Sequence, residues 1–257
     1  MIRPPKRPFL PMVCLFAAIL AGCAGPSADR KKEADARMRM GVTYIEQRNL
    51  PMAMRELTKA SELDPGNPEV DMAFGLAYQA RGDLPKAETY LRRAIDKKPD
   101  YADARNNLGI VLARRKAWDE AIREFEAAAA NVMYTTPERA YFNIGEAYRA
   151  KGDPANAEGA YRRALLANER YAPAYTALSG VLGGQGKWND AASVLTRCVE
   201  VLPGYVPGWM ELGRAYLRLS RPADALKAFD KVLAVSSDPE ERKQAAGYVT
   251  LLGSGKR

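Results

Sequence analysis

Apolar residues return every three or four positions along most of the chain, the spacing of one face of an α-helix. No stretch alternates apolar and polar residues for long enough to predict a sheet. The helical pattern is itself periodic. A small residue recurs at Gly41, Gly75, Gly109, Gly145, Ser179 and Gly213, in steps of 34, 34, 36, 34 and 34. Alanine recurs in phase at Ala53, Ala87, Ala121, Ala157, Ala191 and Ala225. With the first set numbered position 8 of a unit, position 7 reads Met40, Phe74, Leu108, Ile144, Leu178 and Leu212. Position 24 reads Leu57, Leu91, Phe125, Tyr161, Leu195 and Phe229, and position 27 reads Ala60, Ala94, Ala128, Ala164, Cys198 and Val232. Positions 4, 7, 8 and 11 share one face of a first helix, and 20, 24 and 27 one face of a second. Small residues at 8 and 20 let the two helices approach, and the bulky ones at 7, 11 and 24 fill the space between them.

Turn residues punctuate the units. Gly82, Gly152 and Gly186 suit left-handed caps at the end of a first helix. Asp83 and Asp153 can cap the second, with Pro85 and Pro154 in its first turn, and Pro65, Pro99 and Pro203 close it. Beyond the last unit, Asp238-Pro239 opens one more helix in which Ala245, Tyr248, Val249 and Leu252 share a face, followed by a fraying tail from Gly253.

Residues Phe9 to Ile19 form an apolar run broken only by Pro11 and preceded by Arg3, Lys6 and Arg7. It is too short to span a bilayer and reads as a removable signal segment. It ends in Leu20-Ala21-Gly22-Cys23, which resembles the lipobox of bacterial lipoproteins. The competing reading is an ordinary secretory signal with a chance cysteine. The resemblance implies cleavage between Gly22 and Cys23, a diacylglycerol on the Cys23 thiol and a further acyl chain on its amine. At about 0.8 kcal/mol per buried methylene, two or three chains anchor firmly where one does not. Ala24, standing where an aspartate tends to retain such proteins in the inner membrane, implies the outer membrane, facing the periplasm. Ala24 to Lys32 then reads as a polar tether whose roughly ten residues reach about 35 Å.

The 34-residue period and its marks resemble the tetratricopeptide repeat (TPR) family. The resemblance implies an all-α, right-handed superhelical solenoid of six helix-turn-helix repeats with a C-terminal capping helix. The domain plan is a signal segment 1–22, a lipidated cysteine and tether 23–33, and repeats 34–67, 68–101, 102–137, 138–171, 172–205 and 206–239. A capping helix and tail occupy 240–257. One repeat cannot bury its own apolar face, so neighbours must stack.

Composition narrows the function classes. Of 257 residues, 47% are hydrophobic and 27% charged, ordinary for a globular chain. Histidine is absent, which removes the commonest general base and metal ligand. The three cysteines, Cys14, Cys23 and Cys198, match no zinc or redox spacing. Loss of Cys14 with the signal leaves Cys198 without a disulfide partner, in a slot that small buried residues fill elsewhere. The net charge is +8; without Arg3, Lys6 and Arg7, 36 basic residues face 31 acidic ones, or +5. That bias is too mild and dispersed for nucleic acid. No phosphate loop, nucleophile with a base or metal cluster is present. Asp119-Glu120 sits where acids favour a helix N-terminus. We therefore expect no enzyme, no small-molecule substrate and no cofactor beyond the covalent lipid on Cys23.

In TPR proteins positions 2, 5, 9 and 12 of the first helix usually line a concave groove that binds a protein partner. Here the resemblance assigns Met38, Val42, Ile45, Met72, Leu76, Asn106 and Ile110 to the N-terminal half. Phe142, Glu146, Arg149, Met210, Arg214 and Arg218 fall in the C-terminal half, so an apolar stretch precedes a charged one. Such a stripe could hold an amphipathic helix or an extended apolar segment; alternatively these positions meet other repeats. Met38 and Val42 replace the lysine and asparagine of TPR domains that clamp a C-terminal carboxylate. Asn107 and Asn143 share position 6 and fit either a bound peptide backbone or a structural role. Trp118 and Trp188, both at position 17, read as core packing. Arg92-Arg93 and Arg162-Arg163 read as a solvated outer face rather than a patch for anionic lipid or polymer.

The third repeat is two residues longer than the others. Its exit, Asn131-Val132-Met133-Tyr134-Thr135-Thr136-Pro137-Glu138-Arg139-Ala140, follows Asn106-Asn107-Leu108-Gly109. With the lipobox and repeat number, this resembles the secretin pilotins of type IV pilus biogenesis, the PilW, PilF and Tgl family of outer-membrane TPR lipoproteins. The resemblance implies a secretin subunit as partner, and a role in bringing it to the outer membrane and forming its multimeric pore. The alternative is a general periplasmic TPR adaptor for cell-wall remodelling, polysaccharide export or outer-membrane protein assembly.

Overall fold

The structure, a computed structural model, describes residues 26–254. Gly22 and Cys23, and so the cleavage and lipidation sites, lie outside the described residues. Thirteen α-helices and no strands are found among those described. They pair as α1 (Ala28–Glu46) with α2 (Leu50–Leu63), α3 (Pro68–Arg81) with α4 (Leu84–Lys97), and α5 (Ala102–Arg114) with α6 (Trp118–Ala129). Next come α7 (Pro137–Ala150) with α8 (Pro154–Ala167), α9 (Ala172–Gly184) with α10 (Trp188–Val201), and α11 (Val206–Arg218) with α12 (Pro222–Val235). A final helix, α13 (Pro239–Ser254), completes the all-α TPR solenoid.

The small residues set the helix spacing. Alanine at position 20 is at most 1% exposed in all six repeats, which leaves no room for a larger side chain. A Cβ placed on Gly41 would fall 2.7 Å from Leu57, and one on Gly75 2.6 Å from Leu91, so glycine at these sites lets position 24 pack directly on the helix backbone, while Ser179 fills the same position in the fifth repeat at 6% exposure. Position 7 is buried in repeats two to six, but Met40 is 47% exposed. That slot packs against the preceding repeat, as Phe74 does on Leu57, and among the described residues no repeat precedes the first.

Every turn within a repeat passes through the left-handed region at position 15. Gly82, Gly152 and Gly186 do so at φ of 85°, 76° and 75°, as their residue type predicts. Arg48, Lys116 and Ser220 occupy the equivalent positions at 58°, 63° and 56°. Asn49, Asp83 and Asp153 follow and accept hydrogen bonds from the backbone N–H of Met52, Lys86 and Asn156, capping α2, α4 and α8. Asp238 does the same for α13 through the N–H groups of Glu240 and Glu241. Ala245, Tyr248, Val249 and Leu252 then pack on the sixth repeat, with Tyr248 stacked on Phe229 at 4.3 Å.

The expected tether is shorter than predicted. Ser27 accepts from the N–H of Arg30 and starts α1 at Ala28, six residues before the repeat boundary. The extension is held by Arg37 on Glu33 one turn away and by Arg30 on the carbonyl of Glu62. The two additional residues of the third repeat lie in the loop between α6 and α7, not within a helix. Tyr134, 7% exposed, anchors that loop to the core.

Candidate functional site

The first helices of successive repeats supply most of the residues around a chain of three recesses, each sharing residues with the next. The first, of about 370 Å³, is bounded by Val42, Ile45, Leu76, Gln79 and Arg114. Arg114 also borders the second, of about 350 Å³, with Ile110, Trp118, Asn143, Glu146 and Arg149. Glu146 and Arg149 continue into the third and largest, of about 740 Å³. Recesses that share residues thus follow one another from α1 to α9.

Its residues divide by position. Val42, Ile45, Leu76 and Ile110, at positions 9 and 12, are half-buried and keep a face toward the recesses. Position 5 instead serves packing between repeats. Met38 and Met72 lie against the buried clusters of the neighbouring repeats. Asn106 is 5% exposed, and Met210, 6% exposed, packs in the cluster that includes Ala245 of α13. Phe142 straddles both roles, with its ring 5.7 Å from Tyr161 and 5.6 Å from Tyr171 while its other side borders the third recess.

The three asparagines are already engaged. Asn143 Nδ2 donates to Asn106 Oδ1 at 3.1 Å, and Asn107 Nδ2 donates to the carbonyl of Asp103 at 2.9 Å in its own helix. These bonds support the structural reading of the asparagines over peptide binding.

Part of the charged half of the groove is paired internally. Arg149 pairs with Glu146 at 2.5 Å, and the Tyr161 hydroxyl donates to the same carboxylate at 2.5 Å. Burial opposes ionisation of Glu146, but hydrogen bonds from Arg149 and Tyr161 outweigh it and hold the carboxyl below its usual range. Burial, and then the Glu146 carboxylate, pushes the Tyr161 hydroxyl up. Arg214 pairs with Glu211 at 2.6 Å, and Arg218 lies over the Trp188 ring at 5.5 Å. Arg114, which borders the first two recesses, donates among the described residues only to the carbonyl of Gln79, so it and Arg218 keep their positive charge at the groove.

One part of the site was not anticipated from sequence. The third recess is floored by Thr176, Ala177, Gly180 and Gly184 of α9 and walled by Phe142 and Tyr205. A Cβ added to Gly180 or Gly184 would meet nothing within 4 Å, so the floor is open. The available signal was a run of small residues where other repeats carry large ones.

The other candidates settle into structure. Trp118 packs against the buried cluster of repeats three and four. Cys198 is fully buried, and burial pushes its thiol up to about 11, which suits an inert packing residue. Arg92 pairs with Glu88 and Glu120, Arg162 with Glu158, and Arg163 lies over the Tyr141 ring. Arg93 is more than a solvated charge, because with Lys97 it neutralises Asp71, whose side chain is 2% exposed. Among the described residues no helix is long and apolar enough to cross a membrane.

Comparison with known proteins agrees with this architecture. A family model described as tetratricopeptide repeat matches residues 72–134, 118–175 and 176–241. The type IV pilus assembly protein PilF of Pseudomonas aeruginosa is 26% identical over an alignment of 166 positions that covers 61% of this chain. The alignment spans 66% of that relative, just under two thirds of its length. A solved structure of Pseudomonas aeruginosa PilF superposes with a TM-score of 0.69 at 19% identity, covering 85% of this chain and 99% of that one. The structure of PilW, a widely conserved type IV pilus biogenesis factor, gives 0.67 at 22% identity, covering 83% and 98%.

Proposed function

The chain belongs to the tetratricopeptide repeat family, and from that premise we propose that it is a lipid-anchored scaffold of the outer membrane that binds a secretin subunit of the type IV pilus in its groove. The periplasm-facing repeats would hold the subunit while it reaches the membrane and joins its multimer. The chain of recesses carries the reading, joined to the relationship with PilF and PilW. The apolar side chains of its lining, Val42, Ile45, Leu76 and Ile110, favour an apolar stretch of the partner, since an unpaired charge buried against them is costly. The lipobox at Cys23 supports the anchor.

Two measurements test this. Palmitate should label the wild type and not Cys23→Ala. Leu76→Asp, Ile110→Asp and Gly180→Tyr should each lower the amount of heat-resistant secretin multimer in outer-membrane fractions, at unchanged protein level and circular dichroism. Arg93 is unsuited as a control because it neutralises Asp71; Lys231→Asp, on the exposed face of α12, serves instead. Folded groove variants with normal multimers would exclude this groove as the secretin site and favour a general adaptor.

A further inference from the structure

Consecutive helices pack on one another across short connections, which makes neighbours antiparallel, so odd-numbered helices begin, and even-numbered ones end, at one rim of the solenoid. Hydrogen bonds tie the rim loops of successive repeats together: Arg30 to the carbonyl of Glu62, Lys97 to that of Pro65, and Asn131 to that of Asp100. The lengthened loop of the third repeat projects from this rim. Its tip carries Val132 and Met133, 95% and 82% exposed, two adjacent large apolar side chains with almost no protein cover. The tip is rigidly built. Asn131 Oδ1 accepts from the N–H of Met133 at 2.8 Å, the Tyr134 N–H bonds the Asn131 carbonyl at 3.0 Å, and the Tyr134 ring is buried beneath.

The same rim carries the start of α1. Cys23 precedes the cap Ser27 by four residues, a contour of at most about 14 Å. We propose that this rim lies against the bilayer that holds Cys23, and that Val132 and Met133 insert into its interfacial region. The inference rests on the lipid anchor proposed above. Charges on the rim are mixed, with Lys31, Lys32 and Lys98 against Asp29, Asp96 and Asp100, so the apolar pair supplies the attraction. Two side chains alone would bind a membrane feebly. The anchor makes the second contact intramolecular, at an effective concentration on the millimolar scale, and weak insertion is then populated. The loop stands two repeats from α1, roughly 20 Å along the solenoid at 8–10 Å per packed helix layer. Contact at both points holds the solenoid lengthwise beside the membrane.

The test uses full-length lipidated protein in vesicles of phosphatidylethanolamine and phosphatidylglycerol. An environment-sensitive fluorophore is attached to Met133→Cys, or to Asn189→Cys at the opposite rim; buried Cys198 does not compete for label. Spin-labelled lipid should quench position 133 roughly twofold, with a blue shift, as for a side chain at the interface, and should leave position 189 unaffected. If 133 behaves like 189 while the protein still floats with vesicles, the insertion is wrong and the anchor stands. If the protein carries no lipid and does not float, anchor and insertion fall together. If 133 is shielded only when a secretin subunit is added, the tip docks protein and the membrane assignment is overturned.

Discussion

The side-chain amide of Asn143 donates to the side-chain oxygen of Asn106 at 3.1 Å, joining α7 to α5 where the repeat period lengthens by two residues. Asn106 is buried and Asn143 half-buried, so the bond locks two repeats together beside the second recess of the groove. Asn106→Ala should leave the Asn143 amide short of an acceptor and cost about 1–3 kcal/mol, read as a lower denaturant midpoint. Unchanged stability together with weakened partner binding would instead restore the peptide-binding role to these asparagines.

The three non-glycine residues at position 15 hold a conformation that costs an L-residue about 1–2 kcal/mol. Replacing Lys116 or Ser220 by glycine should relieve part of this, raising stability by about 0.5–1 kcal/mol after the greater chain entropy of glycine is subtracted. Gly82→Ala should move the other way. Thermal melts of the three variants decide it, and a loss at Lys116→Gly would show that the side chain offsets its own strain.

Ala87 and Ala157 lie at fully buried helix crossings. Leucine at either site should overpack it and cost about 1–3 kcal/mol. Lys86→Leu, one residue away on the exposed side, should change stability by less than about 0.5 kcal/mol. Urea titrations that give equal midpoints for all three would refute the assigned packing register.

Glu146 makes stability depend on pH. Its folded-state pKa is depressed, so its contribution is complete above the unfolded value of about 4.3 and is lost as pH falls through the lower folded value. Glu146→Gln should cost about 1 kcal/mol at neutral pH, allowing for its partial exposure. The gap to wild type should close as pH drops below about 4. A gap independent of pH would mean that Arg149 and Tyr161 do not favour the ionised form.

Much of this molecule was legible because packing repeats its demands. A small residue at position 8, glycine in five repeats and Ser179 in the other, and alanine at position 20 recur as each helix crossing recurs, so six copies of one constraint expose it. Capping residues such as Asp83 and Asp238 were legible for the same local reason. The misses are places where a constraint is met by an uninformative residue type or by a distant partner. Arg48, Lys116 and Ser220 carry no sign of a left-handed backbone. Gly25-Pro26-Ser27 reads as linker, yet Ser27 caps a helix whose extension depends on Glu62, 32 residues beyond Arg30. The third recess escaped notice because its floor is defined by side chains that Gly180 and Gly184 lack. Arg93 looked like ordinary surface charge because its partner Asp71 lies on the preceding helix of the repeat.

The connectivity of the helices also governs how the chain acquires its shape. Each helix packs substantially only on its neighbours and next-but-one neighbours in the chain. No contact waits for a distant segment to return, so loop-closure entropy is low and formation should be rapid. Structure can nucleate within any adjacent pair of repeats and spread in both directions. Among the described helices, α1 packs chiefly on α2 and α3, and α13 chiefly on α12, so both should exchange their amide hydrogens before the middle helices do. On the export route proposed above, the amino-terminal repeats can order as they emerge from the inner membrane while the last are still crossing it, because no early repeat needs a late one as its partner.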